Sequence, residues 1–139
     1  MSFLLDTNAV SEALKPRPDD GFKAWVGAQD AFELNISVLT FGEIRRGARL
    51  LPQGGRRAQI ESWLAEAPNL FHDRILDVDL EVAGVWADIA ARHRSLGKVV
   101  GAIDELIAAT ALVHDLAVVT RNGRHFDESG CKHLSPWAA

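Results

Sequence analysis

Three acidic side chains carry most of the chemistry that the sequence suggests. Asp6 ends the short apolar run Phe3-Leu4-Leu5, Glu43 lies in the first turns of a predicted helix, and Asp104 begins another. Sites in open α/β sheets form beyond the carboxyl ends of the strands, so we expect the three carboxylates to gather at one edge. Asn122, just past a later predicted strand, is expected at the same edge.

Such a cluster of carboxylates favours the binding of a cation. Two like charges about 4 Å apart repel by about 4 kcal/mol at an effective dielectric constant of about 20. Mg²⁺ and Mn²⁺ prefer oxygen ligands. One or two such ions can bind a phosphodiester, activate the attacking water and stabilise the leaving oxygen. The acids therefore suggest metal-dependent cleavage of a phosphodiester.

Each acid also has an ordinary structural explanation. Asp6 could accept hydrogen bonds from the turn that follows it, and Glu43 could pair with Arg45 or Arg46 on its own helix. Asp104, with Glu105 beside it, could simply complement a helix N-terminus. The functional interpretation is favoured because all three acids fall at one predicted edge.

Short apolar strands alternate with helices along the chain, which predicts an α/β sandwich with a mostly parallel sheet. The length of 139 residues fits one domain, residues 1–139. The predicted strands are 3–5, 32–37, 75–78, 117–120 and an edge strand near 132–134. The predicted helices are 10–14, one that contains Phe22 and Trp25, about 38–51, 56–67, about 80–96, and 106–114 opened by Asp104 and Glu105.

The overall charge and hydrophobicity restrict the function classes. The net charge is −4 and the pI about 5.7, which argues against a broad basic surface that grips nucleic acid by phosphate charge alone. No apolar run approaches the roughly 20 residues of a membrane span, and the N-terminus lacks the basic region of a signal peptide. A cytoplasmic protein without a membrane partner is the expectation.

Four segments and the chain ending resemble one family, the PIN-domain toxins called VapC, especially the branch that includes FitB. The segments are 3–12, 37–47, 103–111 and 119–122 followed by Phe126, and the ending is Pro136-Trp137. The resemblance implies a PIN-like three-layer sandwich and a ribonuclease, dependent on Mg²⁺ or Mn²⁺, that cuts structured RNA such as tRNA or rRNA. It also implies a homodimer silenced by a cognate antitoxin of the VapB or FitA kind, with DNA reached only through that antitoxin.

The resemblance assigns roles to particular positions. Asp6 and Asp104 would be the main metal ligands, with Glu43 completing the acidic core. Supporting polar groups would come from Thr7, Asn8 and Thr120.

Two positions depart from the pattern of the family. Asn122 stands where many PIN domains carry a fourth acid; its amide can position a water but brings no charge. His125 stands where relatives often have Asp, and it could contact phosphate, replace the lost acid or be an ordinary exposed histidine. Glu105 could add negative charge to the site or face solvent.

Basic residues near the acids are candidate phosphate contacts. Arg45 and Arg46 follow Glu43 closely, and Arg121 and Arg124 flank Asn122. The alternative for the first pair is an ordinary solvated helix face.

Rival functions remain open. A non-catalytic PIN-like module is suggested by Asn122 and His125. A phosphatase of the haloacid-dehalogenase type requires a second Asp where Asn8 stands. A receiver domain requires a late lysine, and none directly follows the fourth predicted strand. A serine or cysteine hydrolase is disfavoured because there is no Gly-x-Ser-x-Gly and the lone Cys131 has no obvious base.

Overall fold

A five-stranded parallel sheet with helices on both faces forms the body of the protein, as the alternation of strands and helices predicts. The structure is a computed structural model that describes residues 1–138. The strands are β1 (Phe3–Leu5), β2 (Leu34–Ser37), β3 (Ile75–Leu76), β4 (Ala117–Val119) and β5 (His133–Leu134). The helices are α1 (Thr7–Ala13), α2 (Asp20–Ala28), α3 (Val38–Leu50), α4 (Gly55–Phe71), α5 (Leu80–Ser95) and α6 (Ala102–Val113).

The order of the strands puts β1 at the centre of the sheet. The order is β3-β2-β1-β4-β5, and all four pairings are parallel. The chain therefore builds outward from β1 through β2 to β3, then crosses over to β4 on the other side. Ligand sites in such sheets lie at the carboxyl end of the strands where the order reverses, here at the ends of β1 and β4.

Alternating side chains of β1 divide the core into two layers. Phe3 and Leu5 pack with residues of α1 to α4 on one face. Leu4, fully buried, packs with residues of α5 and α6 on the other. Because successive side chains of a strand point to opposite faces, an apolar run without alternation is the pattern of a strand buried on both sides. The predicted three-layer arrangement is thus confirmed.

Several predicted boundaries differ from the structure. The second strand begins at Leu34 rather than at 32, because residues Ala31–Glu33 form a 3-10 turn capped by Asp30. The third strand ends at Leu76 rather than at 78, because its partner β2 ends at Ser37, which pairs with Leu76.

Three helices start or end outside their predicted limits, and one of them, α6, begins at Ala102 rather than at Asp104 because Gly101 is its cap. Helix α1 begins at Thr7 rather than at residue 10, because the Asp6 side chain caps it at the N–H of Thr7. Helix α4 runs to Phe71, past Pro68, because Ala67 beside the proline and Phe71 after it still pack on the core. Within residues 1–138, no helix is long and apolar enough to cross a lipid bilayer.

Candidate active site

Asp6 lies at the centre of the site and is almost completely buried. One carboxylate oxygen accepts a hydrogen bond from the backbone N–H of Thr7 at 2.8 Å. The other accepts from the Thr120 hydroxyl at 2.8 Å and from the Asn8 amide at 3.2 Å. Burial raises the pKa of Asp6 to about 6, the Thr120 hydrogen bond opposes this rise, and the charges of Asp104 and Glu43 add to it.

Thr7 connects two of the acids. Its hydroxyl donates to Oε1 of Glu43 on α3, while its backbone N–H contacts Asp6. Glu43 reaches this point because α3 begins directly after β2, with the buried hydroxyl of Ser37 capping the helix at the N–H of Leu39. The end of β2 therefore brings Glu43 alongside the end of β1.

Asp104 lies in the first turn of α6 and faces the same region with a partly exposed side chain. Its Oδ2 is 2.7 Å from Nδ1 of His125, which lies in the 3-10 segment Gly123–Ser129 after β4. His125 is thus bonded to one of the predicted metal ligands and is not a free loop histidine.

The predicted polar residues form a network behind the acids. The Thr120 hydroxyl accepts from the backbone N–H of Asn122 at 3.0 Å while donating to Asp6. The side-chain oxygen of Asn8 accepts from the backbone N–H of Arg121 at 3.1 Å. The segment after β4 is therefore held against α1 by hydrogen bonds, which places Asn122 at the mouth of the site.

An open pocket of about 380 Å³ collects these groups. Among the predicted residues, Thr120 lies behind the pocket rather than in its wall. The wall is formed by Asp6, Thr7, Asn8, Ser11, Glu12, Lys15, Glu43, Asp104, Arg121 and Asn122.

The oxygen-rich wall fits a hard divalent cation in its donor chemistry. In the part of the chain that the structure describes, no three His, Cys, Asp or Glu side chains stand at the spacing of a complete ligand set. Glu43 is hydrogen-bonded to the Thr7 hydroxyl, and Asp104 is hydrogen-bonded to His125. Mg²⁺ is commonly bound through one or two carboxylates with several waters retained, so a complete protein ligand set is not a requirement.

Of the four arginines predicted to contact phosphate, one lines the acidic pocket and three do not. Arg121 lines the acidic pocket. Arg45 lines a different pocket between α3 and α4, with Arg49 and Glu61. Residues two apart on a helix point about 200° apart, so Arg45 cannot share the direction of Glu43. Arg46 and Arg124 are exposed and are not part of the acidic wall.

Three residues of the pocket wall, Ser11, Glu12 and Lys15, are not among the predicted site residues. With the predicted Asn8 they are spaced three, four and seven residues along α1 and just past its end, which is the spacing of one helix face. That spacing is the signal that could have identified Glu12, whose side chain is buried although charged. The hydrogen bond from Trp137 lowers the pKa of Glu12, which keeps it ionised.

Glu105 neither adds negative charge to the pocket nor faces solvent, the two alternatives expected from the sequence. It is buried and its Oε2 is 2.6 Å from Nδ1 of the equally buried His93 on α5. The next residue after Asp104 on a helix points about 100° away, and that direction leads into the α5 and α6 contact. Glu105 therefore ties two helices together rather than adding charge to the pocket.

Cys131 is buried, and burial raises the pKa of its thiol. Its hydrogen-bond partner is the Ser129 hydroxyl, which is no base at neutral pH. A cysteine nucleophile is therefore disfavoured by the structure as well as by the sequence.

The fold and the site together define a class of protein, an α/β domain with a parallel sheet and an acidic, oxygen-lined pocket where the strand order reverses. The family model described as PIN domain matches residues 3–130, and the chain belongs to that family. It is 37% identical to VapC ribonuclease Y4jK of Sinorhizobium fredii (strain NBRC 101917 / NGR234), covering 96% of each chain. It is 36% identical to Toxin FitB of Neisseria gonorrhoeae (strain ATCC 700825 / FA 1090), covering 96% of this chain and 97% of the relative.

Solved structures agree in fold. The crystal structure of FitAcB from Neisseria gonorrhoeae superimposes with a TM-score of 0.90 at 35% identity, covering 99% of each chain. The structure of DNA-bound VapBC from Salmonella typhimurium does so with a TM-score of 0.78 at 27% identity, covering 98% of each chain. The resemblance inferred from the sequence motifs is therefore confirmed.

Proposed function

We propose that this protein is a metal-dependent endoribonuclease and the toxin of a type II toxin–antitoxin pair. The observation that carries the proposal is the pocket in which Asp6, Glu43 and Asp104 meet at the switch point of the sheet. The charges of the other two acids raise the pKa of Asp6 in addition to its burial. A divalent cation would relieve this repulsion, and the relatives named as a ribonuclease and a toxin support the activity.

Asp6 and Asp104 would be the main ligands of Mg²⁺ or Mn²⁺, with Glu43 completing the site. When bound, such an ion supplies Lewis-acid stabilisation of the negative charge that develops on the phosphodiester. The side chains of Thr120 and Asn8 orient the Asp6 carboxylate, and that of Thr7 orients Glu43.

The exposed side of the pocket would hold the substrate. Asn122 at the mouth of the pocket orients a water through its amide, and Arg121 binds an RNA phosphate. His125 holds the Asp104 carboxylate in place through the bond at Nδ1. We assign no role near the scissile phosphate to Arg45, which faces α4.

The substrate and partners follow from the relatives. The proposed substrate class is structured RNA, tRNA or rRNA. A tRNA(fMet)-specific endonuclease VapC of Shigella flexneri is 28% identical over 99% of each chain, which supports tRNA within that class. Neighbouring structures include FitAB bound to a DNA fragment and DNA-bound VapBC. They support a cognate antitoxin as partner and contact with DNA through that antitoxin. The proposal also includes a homodimer, which the family resemblance implies. Such an enzyme meets its RNA in the cytoplasm.

The chain is also proposed to form one PIN-like domain over residues 1–139. Both core layers pack on the same sheet, and the terminal segment returns to α1 and α2.

RNA cleavage by the purified, partner-free protein tests the proposed activity. Total tRNA and rRNA would be incubated with Mg²⁺, Mn²⁺ or EDTA. The Asp104→Asn variant is expected to lose at least about 100-fold in rate, because changes even behind a ligand shell commonly cost 10- to 100-fold. Asp115→Asn is the matched control, since Asp115 is exposed outside the pocket and its φ of 53° is one that asparagine also tolerates.

The outcomes separate two functions. Cleavage that requires the metal and is lost in Asp104→Asn alone supports the enzyme. Absence of cleavage under every condition supports the second candidate, a non-catalytic PIN-like module that binds a partner or RNA. That candidate is favoured by the incomplete ligand spacing among the described residues and by the neutral Asn122.

A further inference from the structure

The C-terminal segment docks beside the acidic pocket through Trp137. The indole Nε1 donates to Oε1 of Glu12 at 2.8 Å, and the ring lies 4.9 Å from the ring of Phe22. The next residue, Ala138, donates its backbone N–H to Asp19 at 2.9 Å. The tail is thus bonded to the cap of α2 and to Glu12, a buried acid of α1 in the pocket wall.

Arg121 lies between this tail and the pocket. Its guanidinium carbon is 5.1 Å from the centre of the Trp137 ring, and Nη1 is 3.8 Å from Oε1 of Glu12. The backbone of Arg121 is held by Asn8, and 53% of its side chain is exposed. The guanidinium therefore has a support on one side and open solvent at the pocket mouth on the other.

Glu12 does not neutralise the charge of Arg121. Lys15 is the closer cation to that carboxylate, at 3.2 Å. A guanidinium carries five donors in a planar fork that matches a phosphate. The acidic pocket repels a negatively charged phosphodiester, and a cation held at the mouth of the pocket offsets this repulsion.

We propose that Trp137 is a positioning residue for RNA binding. Its ring supports the guanidinium of Arg121, so that Arg121 binds a backbone phosphate at the mouth of the acidic pocket. This inference rests on the proposed ribonuclease function and adds to it a role for the chain ending. The indole bond to Glu12 fixes the ring, and the ring fixes the direction of the arginine.

The test is RNA affinity in an Asp104→Asn background, where RNA is bound but not cut. A total tRNA fraction is titrated with protein at several salt concentrations. Trp137→Ala is expected to weaken binding about two- to fivefold, the size of an exposed cation–π contact. Trp137→Phe keeps a ring under the arginine but loses the bond to Glu12, so it is expected to restore part of the affinity.

Further measurements separate positioning from general destabilisation. Arg121→Ala is expected to reduce the salt slope by about 0.7, one single-strand phosphate contact, and adding Trp137→Ala to it should weaken binding no further. Trp63→Ala is the matched control, because Trp63 is a part-buried tryptophan stacked on Phe41 and lies outside the acidic wall. With Asp104 intact, Trp137→Ala should raise KM and leave kcat nearly unchanged.

The outcomes distinguish this inference from the function on which it rests. Unchanged affinity and salt slope in Trp137→Ala overturn the positioning role, as does an equal loss in Trp63→Ala. Additive losses in the Arg121 and Trp137 double variant also overturn it. If the wild type cleaves no RNA with either metal and the folded background protein binds none, the proposed function itself fails.

Discussion

Replacing Asp6 with asparagine is expected to stabilise the metal-free protein near neutral pH. The pKa of Asp6 is raised from 3.8 to about 6, chiefly by burial. A difference of about 2 pKa units corresponds to about 3 kcal/mol at about 1.4 kcal/mol per unit. The neutral asparagine avoids this penalty while keeping an acceptor for the N–H of Thr7. The amide nitrogen cannot accept the hydrogen bonds that Thr120 and Asn8 donate to Oδ2, and the loss of these bonds offsets most of the gain, so we expect a net increase of about 1 kcal/mol.

The sign and range of the pH dependence follow from the same shift. Because the folded-state pKa lies above the unfolded value, the protonated carboxyl is favoured by folding. This contribution is fully present below 3.8 and is lost as the pH rises through about 6. From about pH 5 to about pH 7.5, the wild type should lose about 1.4 kcal/mol relative to the variant.

Urea denaturation in EDTA at the two pH values measures the effect. Asp115→Asn, at an exposed position, should show no such pH-dependent gain. An Asp6→Asn variant that is less stable than wild type by the same amount at both pH values would refute the reasoning. Added Mg²⁺ should stabilise the wild type and leave the variant nearly unchanged, since ligand binding to the folded state raises its stability.

Two other substitutions probe contacts that the fold depends on. Gly21→Ala would place a Cβ 2.7 Å from the backbone nitrogen of Ala138 and is expected to lower the free energy of unfolding by about 1–3 kcal/mol. Gly27→Ala, with nothing within 4 Å, should instead raise it by up to about 1 kcal/mol, and thermal unfolding that ranks the two alike would contradict the close approach. Glu105→Ala leaves the buried His93 without its partner and should cost about 1–3 kcal/mol in urea denaturation. Replacing both Glu105 and His93 with leucine should recover much of that loss, and a single variant as stable as wild type would show that the pair is dispensable.

The layers of the fold could be predicted because they depend on local patterns. The unbroken apolar runs of β1 and β4 indicate strands buried on both faces, and amphipathic helices between strands indicate a parallel sheet. The exact strand ends depend on the neighbouring strand instead. Val78 has β propensity, but β2 offers no partner beyond Ser37, so no sequence window around residues 77 and 78 reveals that the strand has ended.

The gathering of Asp6, Glu43, Asp104 and Asn122 in one pocket could be predicted for a geometric reason. Each follows or soon follows the end of a parallel strand, or begins the helix leading into one, and such positions share an edge. The partners of the side chains could not be predicted in this way. The contact between His125 and Asp104 depends on how the 3-10 segment after β4 packs against α6.

The burial of Glu12 could not be predicted from the local sequence either. Periodicity puts Glu12 on the pocket face of α1, but its burial depends on Trp137, which lies at the far end of the chain. A contact across that separation leaves no trace in a local pattern. The ending Pro136-Trp137 resembles that of the family, but only the structure connects it with the pocket.

Direct measurement of Mn²⁺ binding tests the central claim, that the acidic pocket holds a divalent cation. Calorimetry or electron paramagnetic resonance on the partner-free protein would compare wild type, Asp6→Asn, Asp104→Asn and the control Asp115→Asn. We predict binding by the wild type and the control, at least about tenfold weaker binding in the two pocket variants, and competition by Mg²⁺. Equal binding by all four proteins, or none by the wild type, would contradict the assignment of the pocket as a metal site.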